Sequence, residues 1–126
     1  MHAGTRQIYG RPEYLSVDER HPLQPVDVNG FNKMASEAYH LLYRDVYGIK
    51  IRFLRLTNVY GPGIRIKDLQ TFLGIWPRRA IEGESVEVWD GEQRRDLLYV
   101  GDAADSFLYA GLAPEGGGIG VQCRRR

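Results

Sequence analysis

A single cysteine, Cys123, stands among the 126 residues. No internal disulfide can form, and a reducing cytoplasm is the expected setting. Histidine is nearly as sparse. His2, His21 and His40 show no metal-ligand spacing with one another or with Cys123, so no metal site is expected. Charge of one sign is missing too. Seventeen lysines and arginines oppose 16 aspartates and glutamates, a formal net charge of +1. No overall field therefore argues for nucleic acid, a membrane surface or a strongly acidic partner. No apolar run is long enough to span a bilayer. The opening Met1-His2-Ala3-Gly4-Thr5-Arg6 lacks the apolar core of a signal peptide.

What is present is an ordinary globular composition, 43% hydrophobic and 26% charged, in a chain long enough for one core. Residues 1–28 carry glycine, proline and acidic residues with little periodicity and read mostly as loop. Pro12, Pro22 and Pro25 each disfavour helix at the residue before them. Residues 11–27 thus form a long connection, and such connections are often functional. Phe31, Met34, Ala35, Ala38, Leu41, Leu42 and Val46 then recur at helical spacing on one apolar face, with Gly48 as a stop.

Residues 49–60, rich in β-branched and aromatic side chains, predict a strand ending at the turn Gly61-Pro62-Gly63. Leu69, Phe72, Leu73, Trp76, Ala80 and Ile81 predict a second amphipathic helix ending at Gly83, with a kink at Pro77. Val86-Glu87-Val88-Trp89 alternates like a short strand closed by Asp90-Gly91, and residues 97–100 read as another extended piece. Asp102 opens a last helix through Phe107, Leu108 and Leu112. This order predicts α/β architecture with a mainly parallel sheet. From Pro114 onward neither alternation nor helical spacing remains, so residues 1–113 are read as the domain and 114–126 as a disordered tail.

Four segments concentrate residues suited to chemistry. Thr5-Arg6-Gln7-Ile8-Tyr9-Gly10 opens with a hydroxyl, which can donate to an alkoxide and accept from an alcohol. Alone, a loop threonine more often shapes a turn or cap. In Asn29-Gly30-Phe31-Asn32-Lys33-Met34-Ala35-Ser36-Glu37, Asn29 and Lys33 lie four apart and share a helix face. The bland alternative for Lys33 is a solvated residue near Glu37. Arg55-Leu56-Thr57-Asn58-Val59-Tyr60-Gly61-Pro62 brings Asn58 to the carboxyl end of a strand, where open α/β sheets bind ligands. Turn-shaping is its alternative. Gly91-Glu92-Gln93-Arg94-Arg95-Asp96-Leu97-Leu98-Tyr99-Val100 offers Arg95, whose planar fork can meet two phosphate oxygens. An exposed Arg95–Asp96 pair worth about 0–1 kcal/mol is the plain reading there.

Together these segments, over roughly residues 4–112, resemble the NAD-dependent epimerase/dehydratase family, extended short-chain dehydrogenases acting on nucleotide sugars. The resemblance implies a partial Rossmann-like, doubly wound, mainly parallel sheet with the beginning of the C-terminal substrate-binding portion. It places Thr5 where the family holds the substrate oxygen that becomes a carbonyl. Lys33 matches the lysine that binds the nicotinamide ribose, Asn58 the asparagine that holds the nucleotide sugar, and Arg95 the arginine on its diphosphate. The cofactor implied is NAD.

Asn29 falls on the family's catalytic tyrosine. An amide has no titratable proton, so it can hydrogen-bond a substrate but not perform acid–base work. Tyr9 and Asp27 are near in sequence, yet neither has the spacing to replace the tyrosine. The family's glycine-rich turn would lie upstream of Met1, and glycines 116–120 do not stand in for it, because no helix follows them to hold a pyrophosphate. Weak or absent NAD binding is therefore expected of this chain. The implied parent oxidises a nucleotide-sugar hydroxyl with NAD, then epimerises or dehydrates the ketone. A non-catalytic sugar-nucleotide binder and an inactive truncated remnant are the rivals. Homodimerisation or self-association is expected, because a half-sheet leaves apolar surface bare.

Overall fold

The computed structural model describes residues 1–64, 72–88, 91–92, 94–114 and 120–123. Two small parallel sheets carry the chain. Strand β1 (His2–Thr5) runs beside β2 (Phe53–Leu56), pairing His2 with Phe53 and Thr5 with Leu56, and β5 (Gly120–Cys123) flanks β2 on its other side. Strand β3 (Asn58–Tyr60) pairs with β4 (Leu97–Tyr99) in a separate two-stranded sheet. The mainly parallel α/β reading is met.

Several expectations are corrected. The single strand over residues 49–60 divides at Thr57, because its two halves serve different sheets. His2–Thr5, read as loop, is a strand; four residues are too few to show alternation, and the ladder with β2 supplies its conformation. Gly120–Cys123, read as part of a disordered tail, is likewise a strand by virtue of pairing with β2. Residues 84–88 have no regular structure despite the alternation at Val86–Val88, since no strand lies beside them among the described residues. Trp89, Asp90 and Leu69 lie outside the described residues.

Helix α1 (Val28–Tyr47) starts on Asp27, whose side chain accepts from the Gly30 N–H, and ends on Gly48 in the left-handed conformation, whose N–H meets the Arg44 carbonyl. Its inner face is not the expected apolar one. Phe31, Ala35, Ala38, Leu42 and Val46 point to solvent, while Glu37 is buried and Met34, His40 and Leu41 are half-buried. Specific partners chose the face: Glu37 meets Arg55 of β2, and the His40 ring packs edge-on against Phe53.

Helix α2 (Phe72–Glu82) runs on through Pro77 and closes at Gly83, with Glu84 N–H on the Arg79 carbonyl and Gly83 N–H on Ala80. Helix α3 (Val100–Leu112) covers β2 and β4, where Leu54, Leu98 and Ala103 form the core with Leu56, Val59, Phe107 and Ala110 against it. The turn after β3 depends on Gly61: at φ 146° a Cβ there would come within 2.5 Å of Val100.

Residues 10–27 carry no regular structure, as expected, yet the loop is pinned. His21 is buried, its Nε2 accepts from the Glu13 N–H at 2.9 Å, and its ring packs against Tyr9 and Tyr14. Because a backbone N–H can only donate, the ring proton resides on Nδ1, 2.9 Å from the Pro22 carbonyl. Among the described residues no helix is long and apolar enough to cross a membrane, and no cluster suits a metal ion.

Candidate functional site

The end of β1 passes directly into a 3-10 turn, Arg6–Tyr9, capped by Thr5. That turn lies against the start of α1 so closely that a Cβ on Gly30 would come within 2.7 Å of the Gln7 carbonyl. This approach brings the first two candidate residues together. Gln7 joins them: its Oε1 accepts from the Thr5 hydroxyl at 3.2 Å and from Asn29 Nδ2. Gln7 Nε2 in turn donates to Asp27 Oδ2 at 3.2 Å. One turn along α1, Lys33 Nζ donates to the Ala3 carbonyl of β1 at 2.9 Å. Glu37, one turn further on, turns its carboxylate to Arg55.

Glu37, Arg55 and Tyr9 form a buried polar centre beneath this cluster. Arg55 grips Glu37 through Nε at 3.2 Å and Nη2 at 2.7 Å, and donates from Nη1 to the Tyr9 hydroxyl at 2.8 Å. Its guanidinium also lies 5.1 Å from the Tyr9 ring centre. Burial alone would lower the Arg55 pKa, but the bonds to Glu37 and Tyr9 outweigh it and raise it above the usual value. Burial pushes the Tyr9 hydroxyl above its ordinary range, with Arg55 opposing only in part. Tyr9 is thus harder to deprotonate than a free tyrosine, and its hydroxyl is occupied.

The second pair of candidates meets elsewhere. Asn58 and Arg95 line one cavity of about 530 Å³, together with Arg6, Arg94, Thr57 and the loop residues Gly10, Pro12 and Leu15. Asn58 opens β3, and its Nδ2 donates to the Asp96 carbonyl at 2.9 Å. Arg6 Nη2 reaches Asn58 Oδ1 at 3.5 Å. Arg6 follows Thr5 in the chain, so it links the Thr5–Asn29 cluster to the cavity. Arg95 also borders a second cavity of about 410 Å³, walled by Phe72, Trp76, Val88 and Leu97. The Phe72 and Trp76 rings pack 5.1 Å apart there.

Arg6, Gln7 and Asp27 were missed as site residues. Asp27 had a legible signal, an acidic side chain directly before a helical run. The pairing of Gln7 with Asp27 and Asn29 spans 20 and 22 residues of chain, and nothing local announces it.

A family model described as the NAD dependent epimerase/dehydratase family matches residues 1–121. A Methanocaldococcus jannaschii protein provisionally named UDP-glucose 4-epimerase is 39% identical over 104 residues, covering 82% of this chain and 34% of that protein. The UDP-glucose 4-epimerase of Mycolicibacterium smegmatis is 30% identical over 112 residues, 88% of this chain and 36% of its own length. The chain therefore spans about a third of the length of these relatives. The solved UDP-glucose 4-epimerase of Thermotoga maritima with UDP-glucose superposes with a TM-score of 0.87 at 28% identity, over 97% of this chain and 40% of that one. The Rossmann-like reading of the fold stands on this likeness.

Proposed function

Since the chain belongs to the NAD-dependent epimerase/dehydratase family, we propose that it forms the sugar-nucleotide side of a nucleotide-sugar epimerase or dehydratase. The observation carrying this reading is the position of Arg95 between two unlike cavities. On one side stand Arg6, Arg94 and Asn58, suited to phosphate and sugar oxygens. On the other stand Phe72 and Trp76, whose faces suit a nucleobase. A nucleoside diphosphate sugar has its charge in the middle and its apolar face at one end, which is the order in which these groups lie.

In this scheme Arg95 grips the diphosphate and Asn58 the sugar. Asn58 keeps a second N–H and a further lone pair for that purpose. Thr5 lies at the reacting oxygen, and Asn29 contacts substrate without moving a proton. Of the groups that NAD requires, the chain offers Lys33 for the nicotinamide ribose; NAD itself would supply the hydride acceptor. No glycine-rich strand-to-helix turn is present in the sequence to hold its pyrophosphate. Binding without turnover is the second reading, favoured by the amide at position 29 and the raised pKa of Tyr9.

Calorimetric titration of the chain with UDP-glucose tests the assignment. Arg95→Ala is expected to remove a charge-assisted bond worth about 1.5–3 kcal/mol. Sugar-nucleotide affinity should fall by roughly ten- to a hundredfold, with the response to NAD unchanged. Unaltered UDP-glucose affinity, or equal loss for both ligands, removes Arg95 from the site.

A further inference from the structure

Thr5, Gln7, Asp27 and Asn29 form one hydrogen-bonded chain, and its polarity is fixed at one end by groups that cannot reverse. The Gly30 backbone N–H donates to Asp27 Oδ1 at 2.7 Å. A carboxylate has no donor of its own, so Asp27 Oδ2 can be met only by a donor. The group that meets it is the Gln7 carboxamide, at 3.2 Å, which must therefore turn its NH2 that way. Its oxygen then faces the opposite side, toward the Thr5 hydroxyl at 3.2 Å and the Asn29 amide. The Gln7 backbone N–H, again an unambiguous donor, lies 3.4 Å from Thr5 Oγ1.

Two consequences follow for a ligand. Thr5 has one hydroxyl proton, and it is committed to Gln7, so toward a ligand Thr5 offers a lone pair. Asn29 turns its NH2 inward to the same oxygen and leaves its carbonyl outward. We propose that Gln7, held by Asp27, is a positioning residue that makes Thr5 and Asn29 hydrogen-bond acceptors toward the sugar, so that the site selects a hydroxyl donor over an oxygen or halogen that can only accept. The inference rests on the nucleotide-sugar reading, and on Thr5 lying at the hydroxyl that the relatives' names place at C4. It goes beyond that reading in assigning roles to Gln7 and Asp27. Of the two roles open to the Thr5 hydroxyl, donating to an alkoxide and accepting from an alcohol, the bond to Gln7 leaves the second. In the resting arrangement the pair favours the alcohol over the ketone.

Asp27→Asn provides a polarity switch that leaves the helix start in place, since asparagine and aspartate cap about equally well. The Gly30 N–H would hold the side-chain oxygen and turn the new NH2 toward Gln7. Gln7 must then offer its oxygen there and its NH2 to Thr5 and Asn29. The Thr5 proton is released outward and the Asn29 amide reverses. Gln7→Met, of similar length and without either amide group, removes the chain without reversing it.

The measurement is calorimetric binding of UDP-glucose and of UDP-4-deoxy-4-fluoroglucose, whose fluorine accepts but cannot donate. Each is titrated into the 126-residue protein and both variants, with circular dichroism melts confirming that the variants fold. The unsubstituted chain is expected to prefer UDP-glucose by about tenfold, one well-made bond and the penalty for facing lone pairs. Gln7→Met is expected to bring the ratio close to one, and Asp27→Asn to bring it to one or invert it. Equal affinities in the unsubstituted chain, or a tenfold preference that survives Asp27→Asn in a folded variant, overturn the proposal and leave the sugar-nucleotide reading intact. Failure of both compounds to bind the unsubstituted chain overturns the two together.

Discussion

The residue that best shows how physical chemistry overrides pattern is Glu37. It sits on α1 at 4% exposure and pairs with Arg55 at 8%, both carried into the interior where an isolated charge would be very costly. What makes the burial tolerable is completeness: each Glu37 oxygen accepts from Arg55, and the remaining Arg55 nitrogen reaches Tyr9. A Cβ on Gly4 would fall 2.8 Å from Glu37 Oε1, so β1 leaves room for this carboxylate. Glu37→Ala would strand the Arg55 charge and is expected to cost about 3–5 kcal/mol, whereas Glu37→Met with Arg55→Met together should cost much less than either alone. Urea melts of the three variants check this; additive losses would show that the two residues do not act as a pair.

His2 supplies a pH dependence at the same scale. Burial lowers its pKa below the usual 6.5, with the nearby His40 and Lys33 adding to the effect, and its Nε2 is buried without a partner. A base whose folded pKa is depressed binds fewer protons folded than unfolded as the pH falls below its unfolded value. Its contribution is therefore intact above about pH 6.5 and is lost as the pH drops through the lower folded value. The melting temperature is expected to fall between pH 7.5 and 5.5, and His2→Gln to flatten that slope. An unchanged slope in the variant would place the titration elsewhere.

At the scale of elements, legibility followed local determination. Helix α1 could be read because helical spacing persists from Phe31 to Val46 and a glycine ends it. The Gly48 stop makes its own prediction. Its φ of 66° is one that an L side chain adopts at a cost of about 1 kcal/mol, and no atom lies within 4 Å to add a clash. Gly48→Ala should therefore lower stability by about that much in thermal melts; a neutral result would mean the helix end re-forms in another conformation. Strands were read less well, since a strand is completed by its partner. Thr57 divides a run whose composition changes little, and Val86–Val88 alternates with nothing beside it. The candidate site divides along the same line. Thr5, Asn29, Lys33, Asn58 and Arg95 stand in recognisable strings, whereas the Gln7 bridge and the Arg6–Asn58 contact, 52 residues apart, exist only once the chain is folded.

For the whole molecule, the decisive quantity is the apolar surface that the fold leaves uncovered. Phe31, Leu42 and Val46 form one stripe on the outer side of α1 and Tyr39, Tyr43 and Tyr47 the next, each more than half exposed. Contiguous apolar faces of this kind favour association. The sheet adds to this, since β1 and β5 each have an open flank among the described residues. A fully buried apolar side chain contributes about 1.5–3 kcal/mol, and association first costs on the order of 4–15 kcal/mol. A few partly covered side chains offset that cost only narrowly, which points to weak, concentration-dependent self-association. Sedimentation velocity across the micromolar range is expected to show a rising average mass, and Leu42→Lys with Val46→Lys to shift the transition to higher concentration. A monodisperse monomer with a sharp cooperative melt would show instead that the outer face of α1 is compatible with an independent folded unit, and the argument from bare surface would fall.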